Sequence, residues 1–443
     1  MSDLTNGSIK VIDSEGTEVT IKALISNKGG QGDVYRAVYK GKDYALKWYK
    51  GEDDVIGGVQ YENIQRICGI GKRPNEKFIW PLLLVTEEDP KPGKCFGYLM
   101  ELIPDGYHEM SDFLRRDDDP DRVRFCTYNA LLMAGMHLAS RMQALHLRGY
   151  SYKDLNPNNL CIHPETGDVL IVDNDNVSAD RTDRSTVIGM RGYMAPEIVR
   201  SRSRIAPSTS TDRYSLAVVL YRLFFIDHPM EGRLWKTYEI IDDRVKDYFY
   251  AIKPVFHFDP ENDENRPEGY YAQNAAARWR IYPIELRELF TRAFTKGISA
   301  PGARPPENEW IKVIARCRDR LIRFRDGREQ FVDLDVPQTI PPLCVGLRIG
   351  KERIALFDRK GVCEISITGD SRRYDRMEIG VDFTKRGPYI SNLSPHTWRC
   401  ILPNGQERTL SRQDQKGMLM VPGMKIMFRE GDLPICGEIY APQ

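Results

Sequence analysis

Tyr152-Lys153-Asp154-Leu155-Asn156-Pro157-Asn158-Asn159 sets an aspartate and an asparagine five residues apart, with a proline between them. The segment before it, Arg122–Arg148, carries Leu131, Leu138, Met142 and Leu145 at helical spacing. Nineteen residues beyond Asp154, an apolar strand-like run ends in Ile171-Val172-Asp173-Asn174-Asp175. Upstream, Asn27-Lys28-Gly29-Gly30-Gln31-Gly32-Asp33-Val34 lies between two strand-like stretches, where glycines let backbone N–H groups approach phosphates. Fifteen residues after Gly32 comes Tyr44-Ala45-Leu46-Lys47, and fifteen further on Glu62 sits in a predicted helix. Downstream follow Gly192-Tyr-Met-Ala-Pro196-Glu197, Thr211-Asp212-Arg-Tyr-Ser-Leu216 and Arg304-Pro-Pro-Glu-Asn-Glu-Trp310.

The remaining pattern divides the chain. Residues 9–50 and 78–101 read as strands around one helix at 53–70, with turns at Ser14–Gly16 and Lys40–Lys42. After Pro104 helical patterns recur at 122–148, 212–226, 236–252, 283–296 and 307–327, interrupted by an irregular stretch at 228–282. Residues 331–342, with the proline-rich Val336–Pro342, read as a linker. Residues 343–443 read as short strands, from the alternation in Glu364–Ile367 and the hairpin signal Asn404-Gly405. The expected units are 1–103, 104–330 and 343–443.

Composition narrows the function classes. The 443 residues hold 64 Lys plus Arg against 63 Asp plus Glu, a net charge of +1 that argues against bulk nucleic-acid binding or a polybasic membrane anchor. The nine cysteines stand singly, without a CxxC pair, which argues against a zinc ribbon and fits a reducing cytoplasm. No stretch reaches the ~18 apolar residues needed to span a bilayer, and the N-terminus lacks a signal core. Asp173–Asn176 imitates the start of an EF-hand, but Val177, Ser178 and Arg184 break it. Gly346–Lys351 is one residue short of a P-loop.

In this order and spacing, these motifs resemble the eukaryotic-like protein kinases over about residues 20–328. The resemblance implies an α+β, bilobal protein-kinase-like fold followed by a small C-terminal all-β domain. It also implies ATP and Mg2+ as cofactors and a protein substrate. Gly29 and Gly32 are then expected over the phosphates, with Asn27 where the first glycine usually stands. Gly30, Val34 and Ala45 complete the nucleotide site. Lys47 is expected to hold the α- and β-phosphates and Glu62 to position it. Glu101 and Ile103 would offer hinge backbone groups to adenine, with Met100 as gatekeeper. Asp154 would orient or deprotonate the acceptor hydroxyl, and Asn159 and Asp173 would bind magnesium. Glu197 and Arg304 are expected to pair, and Asp212 to brace the catalytic loop.

The departures from the family pattern are Tyr152 and Lys153 for His-Arg, Asn156 for a lysine, Asn174-Asp175 for Phe-Gly, and Met190 for a threonine. They raise a second reading, a pseudokinase that scaffolds partners. Asp175 reads as a solvated or capping carboxylate, with an additional metal oxygen as the alternative. Pro157 favours Ser/Thr acceptors, and Ser178, Thr182, Ser185 and Thr186 are expected autophosphorylation sites.

A narrower likeness rests on Val172–Ser178, His228–Gly232, Pro254–Pro260, Asn265–Pro267, Trp279 and Leu286–Phe290. These resemble a bacterial kinase group encoded beside a metal-dependent protein phosphatase and a von Willebrand A-domain protein, in tellurite-resistance or stress clusters. That implies those two partners, a cytoplasmic location, and neither nucleic acid nor membrane as partner. In the tail, Arg348–Lys351, Ser394-Pro-His396 and Asn404-Gly405 resemble elements of a forkhead-associated domain, although the Ser/His spacing differs.

Overall fold

The computed structural model describes residues 4, 9–27, 31–52, 54–181, 189–202, 204–324, 326–334 and 344–442. Six antiparallel strands open the chain: β1 (Val11–Ile12), β2 (Glu18–Ser26), β3 (Gly32–Tyr39), β4 (Lys42–Tyr49), β5 (Leu83–Glu87) and β6 (Phe96–Met100). They close in the order β1-β2-β3-β4-β6-β5, with β1 pairing β5. The inward positions Tyr35, Ala37, Leu46, Trp48, Val85 and Leu99 fill this barrel. The opposite face carries Tyr49, Phe96 and Tyr98, which pack on Ile64 of helix α1 (Val59–Gly69). Gly32 begins β3 because a Cβ there would lie 2.5 Å from the Trp48 carbonyl oxygen.

Beyond residues 101–104, which belong to no helix or strand, the helical lobe forms around α3 (Tyr128–His146), preceded by the short α2 (Met110–Phe113). α3 packs against α5 (Thr209–Phe225) and α10 (Glu307–Asp319). Between them lie α4 (Pro196–Arg200), α6 (Asp243–Asp247), α7 (Gln273–Arg278), α8 (Ile284–Phe294) and α9 (Lys296–Ser299). α5 is buried nearly all round, so its apolar run is core rather than a membrane segment. Among the described residues no helix is long and apolar enough to cross a membrane. The strands β7 (His108–Glu109), β9 (Leu160–Ile162) and β10 (Val169–Ile171) form one small sheet beneath the cleft. β8 (Tyr150–Ser151) and β11 (Ser178–Ala179) pair separately.

Two expectations change here. The helix expected over 307–327 stops at Asp319, and β12 (Leu321–Arg323) turns into β13 (Glu329–Phe331). The expected linker at 331–342 therefore starts inside a hairpin. Val332 and Leu334 are buried with Ile322, Cys344 and Ala355, while 335–343 lie outside the described residues.

The C-terminal strands are β14 (Val345–Ile349), β15 (Glu352–Leu356), β16 (Gly361–Cys363), β17 (Met377–Thr384), β18 (Gly387–Asn392), β19 (Trp398–Ile401), β20 (Glu407–Leu410), β21 (Met418–Leu419), β22 (Lys425–Arg429) and β23 (Ile435–Tyr440). One sheet runs β15-β14-β23-β22-β19-β20 and the other β16-β17-β18-β21. Leu347, Ile354, Trp398, Ile426 and Ile439 of the first meet Val362, Ile379, Val381 and Ile390 of the second. Asn404-Gly405 does turn a hairpin, with Gly405 at φ 82°. Glu364–Thr368, expected as a strand, is instead the short helix α11, ended by Gly369 at φ 71°. The region is thus not purely β. It also joins the helical lobe, since Cys363, Ile365 and Tyr374 belong to the same apolar cluster as Trp310 and Ile314.

Candidate active site

Register on the sheet determines which side chains face the cleft. Val34 stands opposite Lys47, Lys47 opposite Tyr98, and Ala45 opposite Met100. Cross-strand partners share a face, so Val34, Ala45, Lys47 and Met100 point out of the barrel together. Met100 meets Ile79, Cys161, Leu170 and Val172, an apolar floor that the motifs did not reveal. Glu101 and Ile103 follow outside any helix or strand, Ile103 exposed and the Glu101 carboxylate held by Arg73. Asn27 is exposed before β3, and Gly29 and Gly30 lie outside the described residues.

Lys47 is nearly buried, and its Nζ meets two carboxylates, Asp173 and Asp175, the latter at 2.6 Å. Burial opposes its charge, but the two aspartates more than offset this and hold it protonated. Glu62, the expected partner, does not reach it. The buried stripe of α1 is Gln60, Ile64 and Ile67. At ~100° per residue, position 62 is turned away from that stripe, and Glu62 faces solvent. Asp175, expected to be solvated or capping, is fully buried. Its Oδ2 also accepts the Tyr49 hydroxyl at 2.5 Å.

Asp154 heads the loop between β8 and β9. Its Oδ1 accepts the Met190 N–H at 2.9 Å, and Asn159 Nδ2 donates to its backbone oxygen at 2.9 Å and to Oδ2 at 3.3 Å. Burial raises the Asp154 carboxyl above the ordinary carboxylate range, against these hydrogen bonds. The loop is clamped from below. Asp212 on α5 accepts the N–H groups of Tyr152 (2.6 Å) and Lys153 (3.1 Å). His146 bridges Asp212 (3.1 Å) and Glu307 (2.9 Å). Tyr152 donates its hydroxyl to the Val172 and Asp173 carbonyls, tying the loop to the Asp173 segment. Arg304 grips Glu197 through two bonds of 2.7 and 2.8 Å.

Asp173 adopts φ 55°, a left-handed turn that directs its carboxylate into the cleft, where its side chain is 32% exposed. Burial and the Asp175 charge push its carboxyl above the ordinary range, against the attraction of Lys47. Asn159 uses its N–H groups on Asp154, which leaves its carbonyl oxygen for a ligand. Asp173 and Asn159 thus offer hard oxygen donors beside a surplus of carboxylate over ammonium, and the set suits Mg2+. No cluster of three metal-binding His, Cys, Asp or Glu side chains occurs among the described residues, so any bound metal would need oxygens from elsewhere, such as nucleotide phosphates.

Two expectations on the departures are now specific. Asn174, in a position that is normally apolar, is fully buried, and its amide donates to Ile79 (2.8 Å) and Ile171 (2.9 Å) carbonyls. Ser178 is buried in β11 and cannot accept phosphate in this conformation. Thr182, Ser185 and Thr186 lie outside the described residues. Next to the Asp154 loop, a groove of about 860 Å3 is lined by Leu114, Pro157, Met190, Tyr193, Arg222 and Glu231, among others.

In the tail, the forkhead-associated likeness finds no convergent anion site among the described residues. Arg348 pairs with Glu438, and Ser394 is buried with its hydroxyl on Asn392 and the His396 carbonyl.

Comparison with known proteins points to one family. The family model described as the protein kinase domain matches residues 27–292. A probable serine/threonine-protein kinase of Dictyostelium discoideum is 26% identical over 219 residues, covering 49% of this chain and 14% of its own length. The RGS domain-containing serine/threonine-protein kinase A of the same organism is 23% identical over 221 residues, 47% of this chain and 17% of its own. Human serine/threonine-protein kinase 16 is 25% identical over 122 residues, 25% of this chain and 40% of its own. The chain thus spans less than half the length of each of these relatives.

Proposed function

This chain belongs to the protein kinase family, and we propose that it is an active ATP- and magnesium-dependent protein serine/threonine kinase. The observation that carries this reading is the meeting of Lys47, Asp173, Asn159 and Asp154 at one cleft, each with its hydrogen-bonding groups oriented. Bound magnesium would neutralise charge on the nucleotide phosphates, from Asp173 and Asn159. Lys47 binds the phosphates, and Val34, Ala45, Met100 and the Cys161–Leu170 floor take the adenine ring. The groove beside Met190 takes the acceptor peptide and presents its hydroxyl to Asp154. The hydroxyl oxygen bonds to the γ-phosphorus, the bond to ADP breaks, and the proton leaves toward Asp154. Phosphoryl transfer is mostly positioning and electrostatics, which this small set of groups supplies.

The segments similar to the bacterial group support a cytoplasmic kinase working opposite a metal-dependent phosphatase, with a von Willebrand A-domain protein as further partner. Autophosphorylation belongs to Thr182, Ser185 or Thr186, given the burial of Ser178.

The test is transfer from γ-labelled ATP and magnesium to casein or myelin basic protein, with peptide mass spectrometry of the chain itself. Asp154→Ala is expected to lose about 10²–10⁴ in rate. Equal label on wild type and Asp154→Ala would reject the assignment. No label, with no thermal shift on ATP, would support the scaffold reading instead.

A further inference from the structure

A buried ammonium must be held by a counter-charge that does not leave when ligand arrives. In the kinase family that charge sits on the helix facing the lysine strand. Here the face of α1 turned to the cleft carries no carboxylate: Gln60, Asn63, Ile64 and Ile67 line it, and Arg66 reaches past them to the Val177 carbonyl at 2.7 Å. Glu62, the acid in its first turn, points to solvent.

The carboxylate is supplied from elsewhere. Asp175 lies two residues beyond Asp173, is fully buried, and holds Lys47 Nζ at 2.6 Å. Its position is fixed from three sides. Tyr49 donates its hydroxyl to the same Oδ2 at 2.5 Å. Gln60 Nε2 donates to the Tyr49 hydroxyl at 3.0 Å. Asn63 and Gln60 both donate to the Asp175 carbonyl. α1 therefore grips the aspartate rather than the lysine. The second oxygen, Oδ1, is buried with no partner among the described residues. A half-satisfied buried acid is a poor device for stability, and such groups concentrate where function needs them.

Resting on the kinase reading above, we infer that Asp175 is the positioning residue for Lys47, taking over the task the family gives to a helix glutamate. The division of labour follows from exposure. Asp173 is open to the cleft and is the group a metal ion would claim. Asp175 is shielded from it and stays with Lys47. The Asn-Asp pair after Asp173 is then a working replacement for Phe-Gly. Asn174 anchors to the Ile79 and Ile171 carbonyls, and Asp175 anchors the lysine.

The experiment compares wild type, Asp175→Asn, Asp175→Ala and the double variant Asp175→Ala with Gln60→Glu, which returns a carboxylate to α1. Asp175→Asn keeps the size and one acceptor. Its kcat is expected to fall about 10²-fold, with the KM for the protein acceptor unchanged and the chain still folded at the assay temperature. The double variant is expected to recover at least about tenfold over Asp175→Ala, a gain that mere packing would not give. Unchanged kcat in Asp175→Asn, or a double variant no better than Asp175→Ala, overturns the assignment. A second readout needs no turnover. The 15N signal of the Lys47 ammonium, protected from exchange in wild type, is expected to vanish in Asp175→Asn and persist in Glu62→Gln. Persistence in Asp175→Asn overturns the inference. A wild type without transfer but with this pattern would reject the kinase activity and leave the positioning role standing.

Discussion

At single positions, the departures from the family pattern are compensated by groups nearby. Asn156 stands where a lysine is usual, yet it is buried and shaped for its site. Its amide donates to the Asp154 carbonyl at 3.0 Å, and its Oδ1 accepts the Asn158 N–H at 3.0 Å. It caps the short turn at Pro157–Asn159, which carries the asparagine proposed to hold the metal. Asn156→Lys would place a long cation in a 2%-exposed site and remove that cap. The expected result is a loss of stability of at least ~1 kcal/mol and a lower rate rather than a gain. Denaturant melts with parallel phosphotransfer assays check it, and a faster enzyme would refute the capping role. Met190 shows the same economy, for its backbone N–H reaches Asp154 and needs no threonine hydroxyl. Asp154, Asn159, Asp173 and Lys47 stand out in the sequence because the motif order names them, and their side chains lie at one cleft. Asp175 does not, because nothing local in the sequence says that α1 turns its only first-turn acid outward.

At the level of elements, periodicity located the long helices well. The helical lobe is held by a buried network whose charges titrate. His146 ends α3, Asp212 lies on α5 and Glu307 begins α10. Burial opposes the charge on His146, but its bonds to Asp212 and Glu307 raise it to about 9 from 6.5. Burial also opposes the charge on Glu307, but His146 and Arg213 hold it at about 2 from 4.5. The signs follow directly. The His146 contribution is fully present below pH 6.5 and is lost as pH rises through about 9. The Glu307 contribution is fully present above pH 4.5 and is lost as pH falls through about 2. Stability from this network should thus plateau between pH 4.5 and 6.5 and drop by roughly 3 kcal/mol toward pH 9.5. Unfolding free energies measured across pH check this, with His146→Gln expected to flatten the alkaline limb. Because Asp212 also fixes the Tyr152 and Lys153 amides, kcat should fall along the same limb. Short elements were harder to read. Glu364–Ile367 alternates like a strand, but Glu364, Ile365 and Ile367 are all buried, and one turn of helix closed by Gly369 does this as well.

Across the whole molecule, the change from barrel strands to helices follows the switch in hydrophobic period near Pro104. The third region was readable as strands, but its attachment was not, since docking depends on side chains far apart in sequence. Lys360, in the turn before β16, is buried with its ammonium on the carbonyls of Arg318 (2.7 Å) and Leu321 (2.9 Å), at the C-terminal end of α10. A cation there satisfies helix-end carbonyls and meets the negative end of the dipole. Burial lowers its pKa to about 8, so at neutral pH it is still mostly charged. Ser366 reaches Asp319 at 2.8 Å, and the Tyr374 hydroxyl accepts Arg141 at 2.7 Å. Arg141 continues to Asp168 at 2.9 Å, where Lys77 and Tyr107 also converge, next to β10. The C-terminal strands are therefore bolted to the floor of the cleft rather than trailing from it. Tyr374→Phe, which removes one bond to a charged donor, should cost about 1.5–3 kcal/mol. Lys360→Met strands the helix-end carbonyls and should cost more. In calorimetry it is expected to split off a lower-temperature transition for residues 344–442, with protease cleavage appearing between 320 and 345. A single, unshifted transition in Lys360→Met would mean that the apolar contacts of Cys363, Ile365 and Tyr374 alone hold the region in place.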